Sequence, residues 1–306
     1  MRNQMLTLNT THNSGMKYAM EQLQPSVAPD LARVVELKAA ETQEVLAFLN
    51  MRPVHTVVMA SFIADNGIES SLNRGKFYGY RGTDGSLEGV TLIGHTTLVE
   101  ARTEVALTAF AITARSAETP IHLIMSSGDA AQSFWSRYTN GLTEPRLTCT
   151  ELLFEINYPF AVQKCEWNVR LAKPEELMHV AEAQAEVAEI ECGVNPMAKD
   201  REGFLKRVMR RIEQGRIFVV FDGDKLVFKA DIIAETDNVI YLEGIYTGHE
   251  YRGQGIGSKC LAALSLQLVE RVENICMLSN VDFTHAHKSF AKAGYKTSDQ
   301  CTTLFV

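Results

Sequence analysis

Arg252-Gly253-Gln254-Gly255-Ile256-Gly257 joins two segments of different period. Before it, Val239-Ile240-Tyr241-Leu242-Glu243-Gly244-Ile245-Tyr246-Thr247 is rich in β-branched and aromatic residues and reads as a strand. After it, apolar residues at Ile256, Cys260, Leu261, Leu264, Leu268 and Val272 recur every three to four positions and predict a helix. A glycine-rich loop between a strand and a helix N-terminus is an anion site. Its free N–H groups point outward, the helix dipole places partial positive charge there, and missing Cβ atoms let a phosphate approach the backbone. The expectation is a phosphate-bearing ligand seated at residues 252–257.

Spacing narrows the ligand. A nucleotide P-loop needs Lys-Ser or Lys-Thr after its last glycine, and none stands there; the loop also does not read G-x-G-x-x-G, the dinucleotide fingerprint. Arg252 followed by x-x-G-x-G is similar to the pyrophosphate loop of the GNAT superfamily of acyl-CoA-dependent N-acetyltransferases. The resemblance continues downstream. Ile275-Cys276-Met277-Leu278 running to Asn280 resembles that superfamily's fifth strand, and the segment from Ala286 to Gly294-Tyr295 resembles its fourth helix and closing Gly-aromatic pair.

Composition fits this class. Hydrophobic content of 46% and charged content of 22% are those of a globular chain, and 306 residues suffice for two cores. A net charge of −7 with no basic run argues against nucleic acid as a partner and suits a cationic acceptor. Cysteines 149, 165, 192, 260, 276 and 301 form no C-x-x-C pair, which predicts reduced thiols in a cytoplasmic setting and no metal site. His285 and His287 are two apart and do not share a helix face, so they predict no metal pair. No run of about 18 apolar residues predicts a membrane span.

The order of elements is expected to repeat. A polar arm covers residues 1–30. In residues 31–157 the pattern predicts helices over 42–49 and 56–64, two strand-like runs around a turn at 81–86, a helix from about Glu100 to Ala114, a strand over 121–125, a helix over 129–138 and a strand near 150–156. In residues 166–306 it predicts a strand over 167–171, helices over 174–187 and 201–212, and a hairpin turning on Asp222-Gly223. Residues 74–93 and 214–234 resemble each other, which implies an internal duplication with a boundary near 157–166. The fold class expected is α/β with mixed sheets: two tandem GNAT-like domains, each a mostly antiparallel sheet with helices on both faces. Against the glycine loop, the first half is aligned with His95–Ala101, which lacks glycine and holds Glu100, so it is taken as a degenerate domain. Its role stays open between a pocket wall, a dimer surface that would make a homodimer, and a relic.

The resemblance implies acetyl-CoA as cosubstrate. Main-chain N–H groups of Arg252, Gly253, Gln254, Gly255, Ile256 and Gly257 would hold the pyrophosphate. Ile245, Tyr246 and Thr247 would pair with pantetheine as a peptide adds to a sheet edge, and Asn280 would bond the pantetheine or a water. The acceptor is a small-molecule or peptide amine. An alkylammonium must lose a proton before it attacks, which needs a base. Glu243 is the candidate, unless it pairs with Lys229 or Arg216 across the sheet. The superfamily's usual acid, a Tyr four residues before the Gly-aromatic pair, is Phe290 here, so the acid is Tyr295, Tyr246, a water, or none. Lys229 and Asp231 form an ion pair in the sheet or line the acceptor pocket, and Glu191, with Glu186 and Glu189, lies where the acceptor would enter or on a solvated face. A non-catalytic acetyl-CoA sensor is the alternative to an enzyme.

Overall fold

The computed structural model describes residues 28–160 and 163–306, so the predicted arm lies outside the described residues except at its last positions. The first half runs β1 (Val34–Glu36), α1 (Thr42–Leu49), α2 (Pro53–Asn66), β2 (Gly75–Arg81), β3 (Leu87–Gly94), β4 (Thr96–Ala101), α3 (Glu104–Ala114), β5 (Leu123–Ser127), α4 (Ala130–Thr139) and β6 (Leu147–Asn157). The second runs β7 (Arg170–Leu171), α5 (Leu177–Cys192), α6 (Pro196–Lys199), α7 (Arg201–Glu213), β8 (Ile217–Asp222), β9 (Lys225–Glu235), β10 (Val239–Thr247), α8 (Ile256–Leu268), β11 (Asn274–Asn280), α9 (Thr284–Ala293) and β12 (Lys296–Phe305).

All these strands form one sheet in the order β1-β2-β3-β4-β5-β12-β6-β11-β10-β9-β8-β7. It is antiparallel except for β4 beside β5 and β10 beside β11. The two halves exchange their last strands. β12, from the second half, pairs with β5 of the first (Thr303↔Met125), and β6, from the first, pairs with β11 of the second (Leu153↔Leu278). β6 and β12 also pair with each other (Glu151↔Cys301), which fuses the two expected sheets into one. β12 and β6 cover the edges of β5 and β11, which would otherwise each present a row of unpaired N–H and C=O groups, the usual starting point of aggregation.

Two predicted features change. The helix expected from Glu100 starts at Glu104, because Thr96-Thr97-Leu98-Val99 is rich in β-branched residues and joins the sheet as β4. The counterpart of the glycine loop is therefore Arg102-Thr103, not His95–Ala101. There the Thr103 hydroxyl accepts the Ala106 N–H at 3.2 Å, an ordinary side-chain cap in place of a glycine loop. Nothing in the sequence reading anticipates β12, whose polar opening (Lys-Thr-Ser-Asp-Gln) hides a strand period.

Helices cover both faces. α8 and α9 pack on one face of the second half through Leu261, Leu264, Leu268, Phe290 and Ala293. α5 and α7 cover the other over β8, through Val180, Ala181, Val208 and Ile212. On that same face α2 of the first half lies across β9 and β10, with Val57 buried against Ala234, Tyr241 and Cys276. Arg216 to Asp65 at 2.8 Å and the Glu235 N–H to Ser61 Oγ at 3.2 Å tie the halves further.

Candidate active site

The parallel ladder of β10 and β11 ends at Tyr241↔Cys276, and beyond it β10 runs on to Thr247 and β11 to Asn280 without pairing. Between them opens a cleft of about 650 Å³, within the range of small-molecule and cofactor sites. Ile245, Tyr246, Thr247, Arg252, Gly253, Gly255, Gly257, Glu191 and Glu243 line it, together with Met277, Leu278, Phe290 and Lys288. In the first half the corresponding ladder ends at Leu98↔Met125, but the space left there is only about 50 Å³.

At one end of the cleft, none of the N–H groups from Gly253 through Ser258 meets an acceptor in the protein; the first helical bond is Lys259 N–H to Gly255 O at 3.2 Å. Gly253 and Gly255 both have φ +75°, a conformation costly for residues with a Cβ. A Cβ on Gly257 would stand 2.4 Å from Thr247 Oγ1, so glycine there lets α8 pack directly on β10. The Arg252 guanidinium bonds Thr247 O (2.8 Å) and Glu186 (3.1 Å) and lies 5.5 Å from the Tyr246 ring centre. His249 Nε2 is 2.9 Å from the same Glu186 oxygen. Burial works to raise the Glu186 carboxyl, but Arg252 and His249 outweigh it and hold the group below its ordinary range. Within the loop, Gln254 bonds the Glu250 carbonyl (2.7 Å) and Ile256 packs into the core, so these two offer the cleft only backbone.

At the other end a bulge shapes β10. Glu243 pairs with Asp231 and Tyr246 with Lys229, so Gly244 and Ile245 together oppose one residue, Ala230. Alternation along an unbroken strand would put Ile245 on the face of Tyr241 and Glu243, but the bulge turns it toward the core beneath α8. Gly244 has φ +59°, and a Cβ there would come within 2.6 Å of Gln184 Oε1 and 2.8 Å of Lys229 Nζ. Lys229 is fully buried beneath it. Its ammonium bonds the Gly244 carbonyl (3.2 Å) and the Gln184 side chain. It also stands 2.7 Å from Asp231 Oδ1, an ion pair by proximity whose angle falls outside hydrogen-bond geometry. Arg211 approaches Asp231 from α7 at 3.9 Å. Lys229 and Asp231 thus support the bulge from below and do not line the cleft. With Arg216 held by Asp65 as well, neither cation considered as a partner for Glu243 takes it.

Glu243 is left on the cleft floor. Burial raises its carboxyl above the ordinary range, while Tyr241 and Arg211 pull the other way. Glu191, exposed as a residue, has its carboxyl set among protein atoms at the cleft. That setting first, and then the charges of Glu243 and Glu151, push it up to about 7.

Two expected residues are not brought to the site. Tyr295 is buried in the core with its hydroxyl 2.8 Å from Ser265 Oγ, and it does not line the cleft, so it is not placed to protonate a leaving group there. Asn280 uses its side chain to accept the Asp282 N–H at 2.9 Å and also lies off the cleft wall. Sequence reasoning missed Glu151, Gln184 and Arg211. Glu151 belongs to the other half and only strand pairing reveals it, whereas Gln184 and Arg211 occupy helix positions that read as solvent-facing.

Among the described residues no cluster of His, Cys, Asp or Glu could hold a metal, and no helix is long and apolar enough to cross a membrane. Residues 213–297 match the family description "Acetyltransferase (GNAT) domain". No curated protein matches the chain. Among solved structures it is similar to a GNAT-family acetyltransferase from Colwellia psychrerythraea at 14% identity and TM-score 0.56, over 89% of this chain and 98% of that one. A GCN5-related N-acetyltransferase from Sphaerobacter thermophilus aligns at 11% identity and TM-score 0.55, over 91% and 96%. A tandem GNAT protein from the clavulanic acid biosynthesis pathway aligns at 11% and 0.55, over 89% and 97%. Residues 213–297 thus carry an acetyltransferase domain of the GNAT kind, and the likenesses to solved structures show a GNAT fold across the chain.

Proposed function

We propose that the second half binds acetyl-CoA in the cleft and transfers the acetyl group to a small-molecule or peptide amine by direct attack. The observation that carries this is the run of unpartnered N–H groups from Gly253 to Ser258 at the mouth of a cleft that ends at Glu243. The pyrophosphate would lie on those donors, with Arg252 adding a charge-assisted contact if it exchanges Glu186 for phosphate. Pantetheine would extend along the unpaired edge of β10 at Ile245–Thr247. Glu243 would take a proton from the acceptor ammonium. The neutral nitrogen forms the C–N bond, the backbone at the bulge faces the oxyanion, and the C–S bond breaks to release CoA thiolate, which takes the second nitrogen proton. A thiolate is a good leaving group at neutral pH and needs little acid help, which accommodates Phe290 and the inward Tyr295.

Those same two residues favour a second reading, a non-catalytic acetyl-CoA sensor. Calorimetry with acetyl-CoA and ATP, followed by thiol release across an amine panel, separates the readings. Heat with acetyl-CoA alone and CoA release on some amine support the transferase; heat without release on any amine supports the sensor. No heat with acetyl-CoA sinks both.

A further inference from the structure

Walls of opposite charge face each other across the cleft. Arg252, Lys288 and Lys292 line it from the glycine loop and α9, and Asp282, just past β11, is the one carboxyl on that side among the described residues. From α5 and β10 come Glu186, Glu191 and Glu243, and no cation. α5 turns this mixed face to the cleft because its other face is taken. Val180, Ala181 and Ala185 pack into the core over β8, which leaves Glu186, Val187, Ile190 and Glu191 at helical spacing on the cleft side. Ile190 is 60% exposed, a large apolar side chain that lines the cleft uncovered. Leu278 of β11 continues the apolar strip and is packed beneath by the cluster around Val57.

The carboxyls of this wall are not engaged alike. Glu186 is held by Arg252 at 3.1 Å and His249 at 2.9 Å. Glu191 and Glu243 form no salt bridge among the described residues, for Lys229 and Arg211 go to Asp231 instead, at 2.7 and 3.9 Å. α5 also ends at Cys192, so the negative end of its dipole stands beside Glu191.

We propose that the acceptor is a primary amine on an uncharged aliphatic or aryl body that carries no carboxylate, with Glu191 and Ile190 as the residues that select it. This deepens the transferase reading above and rests on it. The ammonium enters toward Glu191 and Glu243, and the body lies on Val187, Ile190 and Leu278, taking the Ile190 side chain out of water. A carboxylate on the acceptor would meet the Glu191 wall, and the cations able to balance it stand across the cleft, where the phosphates of acetyl-CoA would lie. A polyhydroxyl body would set its hydroxyls against apolar side chains without partners. A second ammonium at the far end of an alkyl chain would be laid on Ile190, away from both free carboxyls.

The test uses the full chain with acetyl-CoA and matched acceptors, read by release of CoA thiol. 2-Phenylethylamine and phenylalanine differ only by a carboxylate, hexylamine and 1,6-diaminohexane only by a second cation. The first of each pair should have the higher kcat/KM, by about 10²-fold for the carboxylate and about tenfold for the second cation. 2-Phenylethylamine should also exceed glucosamine. Ile190→Ser should raise KM for 2-phenylethylamine about tenfold with little change in kcat. Glu191→Lys should narrow the preference over phenylalanine by about tenfold or more, because the wall then attracts the carboxylate it repelled. Acetyl-CoA affinity by calorimetry, retained in both variants, is the control for folding. Phenylalanine, glucosamine or 1,6-diaminohexane used as well as the apolar monoamines, or preferences untouched by either substitution, overturns this acceptor class while the transferase stands. A wild type that binds acetyl-CoA yet releases CoA on no amine overturns the transferase reading, and the acceptor class with it.

Discussion

Glu100 and Glu243 hold corresponding places in the two halves: each lies two residues beyond the last paired residue of a parallel ladder, Leu98↔Met125 in one and Tyr241↔Cys276 in the other. Their surroundings differ in kind. Glu100 is buried with Arg52 at 3.2 Å and Arg102 at 3.4 Å, a carboxylate fully committed to cations. Glu243 meets no cation within salt-bridge distance and opens onto the cleft. One position is a structural ion pair and the other a carboxyl without a cation.

Glu243→Gln should therefore lower kcat by about 10²- to 10⁴-fold, the usual contribution of a general base, while the acetyl-CoA dissociation constant holds. Glu100→Gln should leave kcat unchanged. Because burial raises the Glu243 carboxyl and the base works only when ionised, activity should fall as pH drops through a value above the ordinary carboxyl range. Steady-state kinetics from pH 5 to 9 on the three proteins checks all of this.

Gly255→Ala should weaken acetyl-CoA binding. With φ +75° the new Cβ costs about 1–2 kcal/mol in the bound loop, close to a tenfold change in affinity. Gly257→Ala is predicted to do worse, since the space is already filled by Thr247 Oγ1 and α8 must back away from β10. Calorimetry should rank wild type, Gly255→Ala and Gly257→Ala in that order, with melting temperature lowered most in the last.

Glu151 should make the stability of the fold decline as pH rises. Its carboxyl titrates near 7 in the fold against an ordinary 4.5, so the folded state holds this proton more tightly than the unfolded chain. That stabilisation is complete below about 4.5 and lost as pH rises through about 7. A permanently neutral Gln escapes the loss. Glu151→Gln should melt higher than wild type at pH 8 and nearly with it at pH 4.5, as differential scanning calorimetry would show.

The second half was legible because its signals are local. A strand, a glycine loop and an amphipathic helix sit in one contiguous stretch, and period and glycine position alone give Gly253, Gly255 and Gly257 their places. The place of Glu243 on the cleft wall also follows from its position just before the segment expected to pair with pantetheine. What failed was non-local. Tyr295 carries the right chemical group at the right distance along the chain, but its hydroxyl turns inward to Ser265. Glu151 lies far from Glu243 in sequence and shares its sheet face only through the exchange of β6 and β12, which no periodicity encodes. His95–Ala101 is not a loop because the β-branched residues of Thr96–Ala101 join the sheet as β4, leaving only Arg102-Thr103 before α3.

Lys229 and Asp231 make the last case, and here the effect is on the fold. Both are buried, and burial pushes the Lys229 ammonium below its ordinary value, against the attraction of Asp231. Lys229→Met would leave Asp231 with only the distant Arg211 contact, and would also cut the bond to the Gly244 carbonyl that holds the bulge. Breaking such a pair from one side costs about 3–5 kcal/mol, because a charge stays in the interior uncompensated. Replacing both members with apolar residues of similar volume removes that penalty, so Lys229→Met with Asp231→Leu should regain most of the stability in urea unfolding. The double variant should not regain activity, because Gly244 and the backbone facing the acyl carbonyl would no longer be anchored. Recovery of turnover along with stability would mean that the ammonium serves the sheet alone and the bulge keeps its shape without it.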